Sequence, residues 1–247
     1  MNPILISIFG LEIRWYGLLL AFAFLAGYFI LLRLSEEKGI KKEIIEKLII
    51  YLIIGIILGA RLFEVLFYDF KYYLNDPIKI VHIWEGGLAS HGGLIAGILI
   101  IFWFSKKYKI KFYELADLIV IPVALGASFI RIGNFINGEL VGRITDLKWA
   151  VKFDNHEGLR HPVQIYQAVT NFITFLTLLY VRRLKNLPSG FLFWLFLLMF
   201  SIFRFFTEFY KDLPLGYGLQ VYGLNLAQYL SIGIFIISII YLIKLKK

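Results

Sequence analysis

Seven apolar stretches, at about 15–34, 47–68, 92–105, 113–131, 163–181, 189–210 and 224–243, decide what this chain can fold into. Crossing a bilayer as a helix takes roughly 17–25 residues, which is the length of most of them. Inside hydrocarbon every backbone amide and carbonyl needs a partner from the chain itself, and a single stretch of that length meets this demand as a helix. The expected fold is therefore an all-α integral membrane protein of seven transmembrane helices, one polytopic domain over residues 1–247. The third stretch is short and opens on Gly92-Gly93, so it is expected to begin below the membrane surface. With 60% hydrophobic and 17% charged residues, the composition excludes an ordinary soluble domain. The first stretch is long, lacks a basic leader and has no small-residue cleavage site, so no cleavable secretory signal is expected.

The net charge of +9 is compatible with nucleic acid, but its placement points to a membrane instead. Arg33, Lys38, Lys41, Lys42 and Lys47 fill the first connection. Lys106, Lys107, Lys109 and Lys111 fill the third, Arg182, Arg183 and Lys185 the fifth, and Lys244, Lys246 and Lys247 the tail. In the alternate connections Asp and Glu balance the basic residues. Positive residues stay on the cytoplasmic side, which puts the tail inside and the N-terminus outside. Trp15, Tyr16, Trp84, Trp103, Trp149 and Tyr222 fall near span ends, where aromatic belts form. The longest external connection, 132–162, is expected to build a small extracytoplasmic cap. Lys148–Phe153 alternates well enough for a short strand within it.

Polar groups at membrane depth are costly and tend to mark working sites. Arg131, Asn134, Asn137, Glu139, Gly142 and Arg143 close the fourth stretch. Arg61 and Glu64 are spaced i, i+3 on the second, and Arg204 and Glu208 i, i+4 on the sixth, which puts opposite charges on one helix face. The Arg61–Glu64 pair reads equally well as a structural ion pair or as part of a site. Arg131 and Arg204 both reach outer ends of their helices, and two guanidiniums at one depth suit a doubly coordinated phosphate. His91 is framed by Gly86, Gly87, Gly92 and Gly93; bare backbone there can form an anion-binding nest, and imidazole transfers protons near neutral pH. Asp117 is a candidate partner for a neighbouring helix. No two histidines share a face at ligand spacing, so no metal is expected, and no other cofactor either. The chain has no cysteine, which excludes disulfides and a thiol nucleophile of its own.

These residues together resemble the prolipoprotein diacylglyceryl transferases. The family signature, Arg-x-Gly-Asn-Phe-x-Asn-x-Glu-x-x-Gly, is matched by Arg131, Gly133, Asn134, Phe135, Asn137, Glu139 and Gly142. Further family blocks follow the same order along the chain. They are Arg14-Trp15-Tyr16-Gly17, Arg61, Trp84-Glu85-Gly86-Gly87, Ser90-His91-Gly92-Gly93-Leu94, Arg160-His161-Pro162 with Gln164 and Tyr166, Phe203-Arg204 with Glu208-Phe209, and Gln228 with Leu230-Ser231. The chain departs from the pattern at Ile130, where the family usually has Gly, at Gln167, usually Glu, and at Ala227, usually Gly. Its external segment is also short.

The resemblance implies an enzyme that moves the diacylglyceryl unit of phosphatidylglycerol to the lipobox cysteine of preprolipoproteins. A thioether forms and glycerol 1-phosphate leaves. The expected partners are phosphatidylglycerol and the signal peptides of those preprolipoproteins, with no nucleic acid. The enzyme is expected as a monomer in the cytoplasmic (inner) membrane, with its site toward the extracytoplasmic side. On this reading Arg131 and Arg204 hold the phosphate and Asn134 and Asn137 contact the headgroup. His91 serves as base or hydrogen-bond partner of the thiol, Glu139 and Glu208 orient the arginines, and Gly142 gives backbone room. Tyr16 helps to hold the lipid, and Arg61, Gly92 and Gly93 are further substrate contacts.

Overall fold

The computed structural model describes residues 2–8, 10–213 and 222–245. Lys246 and Lys247 of the basic tail lie outside the described residues. Each predicted stretch contains a long helix: α1 Trp15–Glu36, α2 Lys42–Phe63, α4 Ser90–Tyr108, α5 Phe112–Asn137, α6 Val163–Val181, α7 Phe191–Glu208 and α8 Leu226–Leu245, with a short α3 at Phe70–Asn75. Five are long and apolar enough to cross a membrane, namely Trp15–Glu36, Lys42–Tyr68, Phe112–Asn137, Phe191–Glu208 and Leu226–Leu245. The other two are diluted by polar residues, α4 by Ser90-His91-Gly92-Gly93 at its start and α6 by Gln164, Gln167, Thr170, Asn171, Thr174 and Thr177. Outward side chains such as Phe22, Phe29, Leu58, Leu99 and Ile236 are more than half exposed, as they would be against lipid rather than water.

The chain divides into two units, Leu31–Ala116 and the remainder, with the divisions falling inside α1 and α5. In the Leu31–Ala116 unit, α2 and α4 pack through small residues. A Cβ on Gly92 would collide with Gly59 and Phe63, and one on Gly93 would press on Ile56 at 3.2 Å. Gly55 and Gly59 on α2 meet Ile100 and Ala96 on α4 in the same way. Small residues four apart let two helix backbones approach closely, which is how membrane helices associate without a hydrophobic drive. Below this seam Ile45, Leu48 and Phe104 are fully buried. Beyond Phe63 the helix widens into a π-turn, Glu64–Tyr68, where the Asp69 amide reaches back to the Glu64 carbonyl.

In the larger unit an unforeseen hairpin, β1 Ile4–Ile8 with β2 Leu11–Arg14, precedes α1. Its turn passes through Gly10 at φ +81°, a left-handed position that favours glycine. Phe22 of α1 meets Phe129 of α5 edge to face at 5.1 Å. The Ser128 hydroxyl of α5 donates to the Ala168 carbonyl of α6 at 2.8 Å. Trp194 of α7 stacks on Tyr241 of α8 at 4.2 Å, nearly parallel. At the start of α8, Asn225 and Gln228 cap each other, each side-chain oxygen accepting the other's backbone amide at 3.0 Å. Asp117 of α5 does find a neighbouring helix: its carboxylate accepts the Gly190 and Phe193 amides at 2.7 and 2.8 Å. It thereby satisfies donors that the first turn of α7 would otherwise leave bare. The expected strand in the 132–162 connection is present as β3 Val151–Lys152, paired with β4 Leu159–Arg160.

Candidate active site

The signature run does two structural jobs. Its first half is the last two turns of α5; its second half leaves the helix through Gly138 at φ +69° and Leu140 at φ +54°. It then runs between two other segments. The Gly142 amide donates to the His161 carbonyl and the His161 amide to the Arg143 carbonyl, at 3.1 and 3.0 Å. On the other side the Arg143 amide donates to Tyr210 and the Asp212 amide to Val141, at 2.9 and 3.1 Å. Gly142 has no room for a side chain, since a Cβ would strike the His161 carbonyl. Arg143 Nε donates to the Lys211 carbonyl at 3.0 Å, and Arg160 Nη1 bridges the Gly142 carbonyl and the Asp212 carboxylate. The connection after α5 is thus laced to the segment that follows α7.

On the α5 side Arg131 Nη1 donates to Asn134 Oδ1 at 3.3 Å, and Asn134 Nδ2 donates to Glu139 Oε2 at 3.0 Å. Asn137 Nδ2 donates to the other Glu139 oxygen at 3.1 Å. Glu139 therefore orients the two asparagines and reaches Arg131 only through Asn134. Gly133 is bare for a reason: the Tyr16 ring lies over it, and a Cβ would come within 2.7 Å of the ring. On α7, Arg204 Nε sits 3.3 Å from Glu208 Oε2, the pairing expected from the i, i+4 spacing.

Arg131 and Arg204 line one small open cavity, together with Gln167, Thr170, Asn171 and Thr207. Phe200 and Phe203 complete it. Two guanidiniums, neutral polar groups and an aromatic wall fit an anionic head attached to an apolar tail.

The remaining expected site residues belong to the Leu31–Ala116 unit. Arg61 is 5% exposed and does not pair with Glu64 among the described residues. It donates instead to five carbonyls of the 79–87 segment: Ile80 at 2.9 Å, Gly86 at 2.7 Å, Gly87 at 2.9 Å, His82 at 3.3 Å, and Lys79. The guanidinium also lies 4.8 Å from the Tyr73 ring centre. Gly87, at φ +71°, passes so close to Arg61 and Tyr73 that any Cβ would collide with both. Gly92 and Gly93 sit in the first turn of α4 against α2, where their bareness serves helix packing. The His91 imidazole is exposed at that helix start, and its Nδ1 lies 3.1 Å from the Tyr68 hydroxyl. Tyr68 reaches it because the π-turn shifts the end of α2 by one residue.

A model of the family described as prolipoprotein diacylglyceryl transferase matches residues 3–244. The chain belongs to this family. Curated relatives named phosphatidylglycerol–prolipoprotein diacylglyceryl transferase include one from Tolumonas auensis, 44% identical over 87% of this chain and 85% of its own length. Another, from Geobacter sulfurreducens, is 38% identical over 97% of this chain and 93% of its own. A third, from Bacteroides fragilis, is 37% identical over 98% and 92%. With its apolar helices, this family member is a multi-pass membrane protein. The family departure at Gln167 falls on the arginine cavity itself, where Gln167 Nε2 donates to Thr207 Oγ1 at 3.4 Å.

Sequence reasoning missed Lys211, which is 9% exposed with Nζ 3.2 Å from Glu208 Oε2. The signal was available, because Lys211 follows Glu208 at the same i, i+3 spacing that drew attention to Arg61 and Glu64. The polar lining from α6 was also missed, since isolated Thr and Asn residues in an apolar helix look like ordinary packing.

Proposed function

We propose that this chain transfers the diacylglyceryl group of phosphatidylglycerol to the lipobox cysteine thiol of preprolipoproteins, the first step of lipoprotein lipidation. The observation that carries the reading is the pair Arg131 and Arg204, supplied by α5 and α7 to one cavity with an aromatic wall. The phosphodiester binds between the two guanidiniums while acyl chains extend along Phe200 and Phe203. Asn134 and Asn137, both held by Glu139, are the polar groups assigned to the glycerol headgroup.

The thiol arrives with the substrate, because this chain has none. A free thiol ionises near pH 8.5 and reacts as thiolate, and on this reading His91 is the base or hydrogen-bond partner that assists its ionisation. The sulfur attacks the glyceryl carbon bonded to the phosphate oxygen. As the carbon–sulfur bond forms, the carbon–oxygen bond breaks and its electron pair leaves with the phosphate, giving a thioether and glycerol 1-phosphate. Negative charge grows on the leaving oxygen, where each well-aimed donor contributes about 2.7–4 kcal/mol to the transition state. Tyr16 holds the lipid beside Gly133, and Glu139 and Glu208 keep the donors aimed.

The basic connections support seven spans with the N-terminus outside and the C-terminus cytoplasmic. On this reading the active site faces the extracytoplasmic side of the inner membrane. Signal peptides are the protein substrates, and a monomer is sufficient for the chemistry.

The test combines purified enzyme in detergent, phosphatidylglycerol and a lipobox peptide, with mass spectrometry of the peptide. A mass gain equal to diacylglyceryl is expected, and none when the peptide cysteine is serine. Transfer that survives Arg131→Ala or Arg204→Ala overturns the phosphate assignment, and near-normal rates across pH for His91→Asn overturn the base.

A further inference from the structure

Glu208 is 3% exposed, and a single one of its oxygens, Oε2, faces two cations, Arg204 Nε at 3.3 Å and Lys211 Nζ at 3.2 Å. A carboxylate this buried cannot stay ionised without a partner. Arg204 is asked to leave or loosen that partnership whenever it turns to a phosphate in the cavity it lines. Lys211 is the group able to keep Glu208 compensated while that happens. Its own position is fixed through the backbone: it bridges to Gly142, and its carbonyl accepts Arg143 Nε at 3.0 Å. The signature run therefore holds Lys211 in place although Lys211 lies 69 residues beyond Gly142 in the chain (211 − 142).

We propose that Lys211 is a positioning residue for lipid capture, holding the Glu208 carboxylate so that the Arg204 guanidinium is released to the lipid phosphate. This deepens the transferase reading and rests on it for the identity of the lipid. The charged groups acting on the amine are Glu208 and Arg204 from α7 and Arg131 from α5, while the Arg143 guanidinium meets the Lys211 backbone carbonyl. Asp212 is turned away to Arg160. With Lys211 protonated, the three cations Arg131, Arg204 and Lys211 face one carboxylate, and the surplus positive charge awaits an anion. With Lys211 neutral, Glu208 has only Arg204, and the cavity loses both a charge and a free guanidinium.

The direction of the pH effect follows. Burial, aided by Arg204 and Arg131 and opposed by Glu208, pushes the Lys211 ammonium down to about 8. The favourable state is therefore full below that value and is lost as pH rises through it. If only the protonated form binds well, affinity for phosphatidylglycerol falls about tenfold between pH 7 and pH 9.

The experiment measures equilibrium binding of short-chain phosphatidylglycerol to the full-length protein in detergent by calorimetry, at pH 7 and pH 9, without peptide. Omitting peptide removes thiol ionisation from the result. Wild type is expected to show the tenfold weakening. Lys211→Arg, which keeps its proton throughout, is expected to bind equally well at both pH values. Lys211→Met, neutral at both values, is expected to bind more than tenfold more weakly than wild type at pH 7 and to be equally weak at pH 9. A Lys211→Arg protein that weakens in step with wild type, or a Lys211→Met protein that matches wild type at pH 7, overturns the proposal. So does a wild-type affinity that does not move with pH. Lipid binding with this pattern but no diacylglyceryl transfer to peptide sinks the reaction while leaving the Lys211 assignment standing. Absence of lipid binding by all three proteins sinks the assignment as well.

Discussion

Replacing Arg61 by alanine separates two roles that sequence alone could not distinguish. As a substrate contact, Arg61 would affect lipid affinity and little else. As the structure arranges it, the guanidinium is a staple inside the 79–87 segment, which leads directly to His91. Three of its hydrogen bonds, to Ile80, Gly86 and Gly87, lie at 2.7–2.9 Å. Hydrogen bonds to a charged group are worth about 1.5–3 kcal/mol each, so the three represent roughly 4.5–9 kcal/mol before compensation. Much of the segment is exposed, so its carbonyls rehydrate once released, and a net loss of about 3 kcal/mol in the free energy of local opening is a reasonable expectation. At about 1.4 kcal/mol per factor of ten, backbone amide exchange over 79–91 should accelerate by roughly two orders of magnitude in Arg61→Ala. The assay is hydrogen–deuterium exchange with mass spectrometry on detergent-purified protein, alongside kcat and KM for phosphatidylglycerol. Arg61→Lys, which keeps the charge but not the fork, should fall between wild type and alanine. Unchanged exchange over 79–91 together with a raised KM for lipid would refute the staple and restore the direct contact.

Three further outcomes are expected. Glu208→Gln leaves Arg204 and Lys211 facing each other uncompensated, so thermal melting should report a loss of about 3 kcal/mol; adding Lys211→Met should recover part of it. Asp117→Ala strips the acceptor from the Gly190 and Phe193 amides and should cost about 1–2 kcal/mol in the same melt, with Asp117→Asn intermediate. Burial lowers the pKa of His161, so the stability it contributes is complete above its unfolded value and is lost as pH falls through the folded one. Limited proteolysis should therefore show the 138–162 cap loosening on mild acidification in wild type, and much less so in His161→Gln.

The helices were legible because hydrocarbon leaves a long apolar stretch few options, and each expected stretch holds one. The arginine cavity was legible for the same reason: Arg131 and Arg204 are conspicuous where charge is costly. Short-range polar spacing was less reliable. The same i, i+4 logic that held for Arg204 and Glu208 had an i, i+3 counterpart that failed for Arg61 and Glu64, because carbonyls of a segment 18 to 26 residues away competed for the guanidinium. Such a competitor has no signature, since every residue carries a carbonyl. The glycines around His91 show a similar ambiguity. Bare backbone suits a ligand or a neighbouring helix equally, and the α2 seam shows Gly92 and Gly93 in contact with a helix. The N-terminal hairpin escaped notice because its two strands are too short to stand out beside the long apolar stretch that follows.

What the family signature encodes, on this structure, is less a set of ligands than a frame for two helices. Asp117 ties α5 to the first turn of α7 near one end. Near the other, Gly142 and Arg143 knit the run after α5 to Tyr210, Lys211 and Asp212 just beyond α7. Arg131 and Arg204 lie between these two ties, one on each helix. Donors fixed before the reaction stabilise developing charge without having to reorganise, and the benefit grows where water is scarce. On this argument the glycine at 142 matters to catalysis through geometry alone. Gly142→Ala forces its new methyl against the His161 carbonyl, loosening one tie while leaving every charged side chain in place. Its expected mark is a fall in kcat with lipid affinity nearly preserved. A variant that instead loses lipid binding with kcat intact would show that the frame selects substrate rather than serving the transition state.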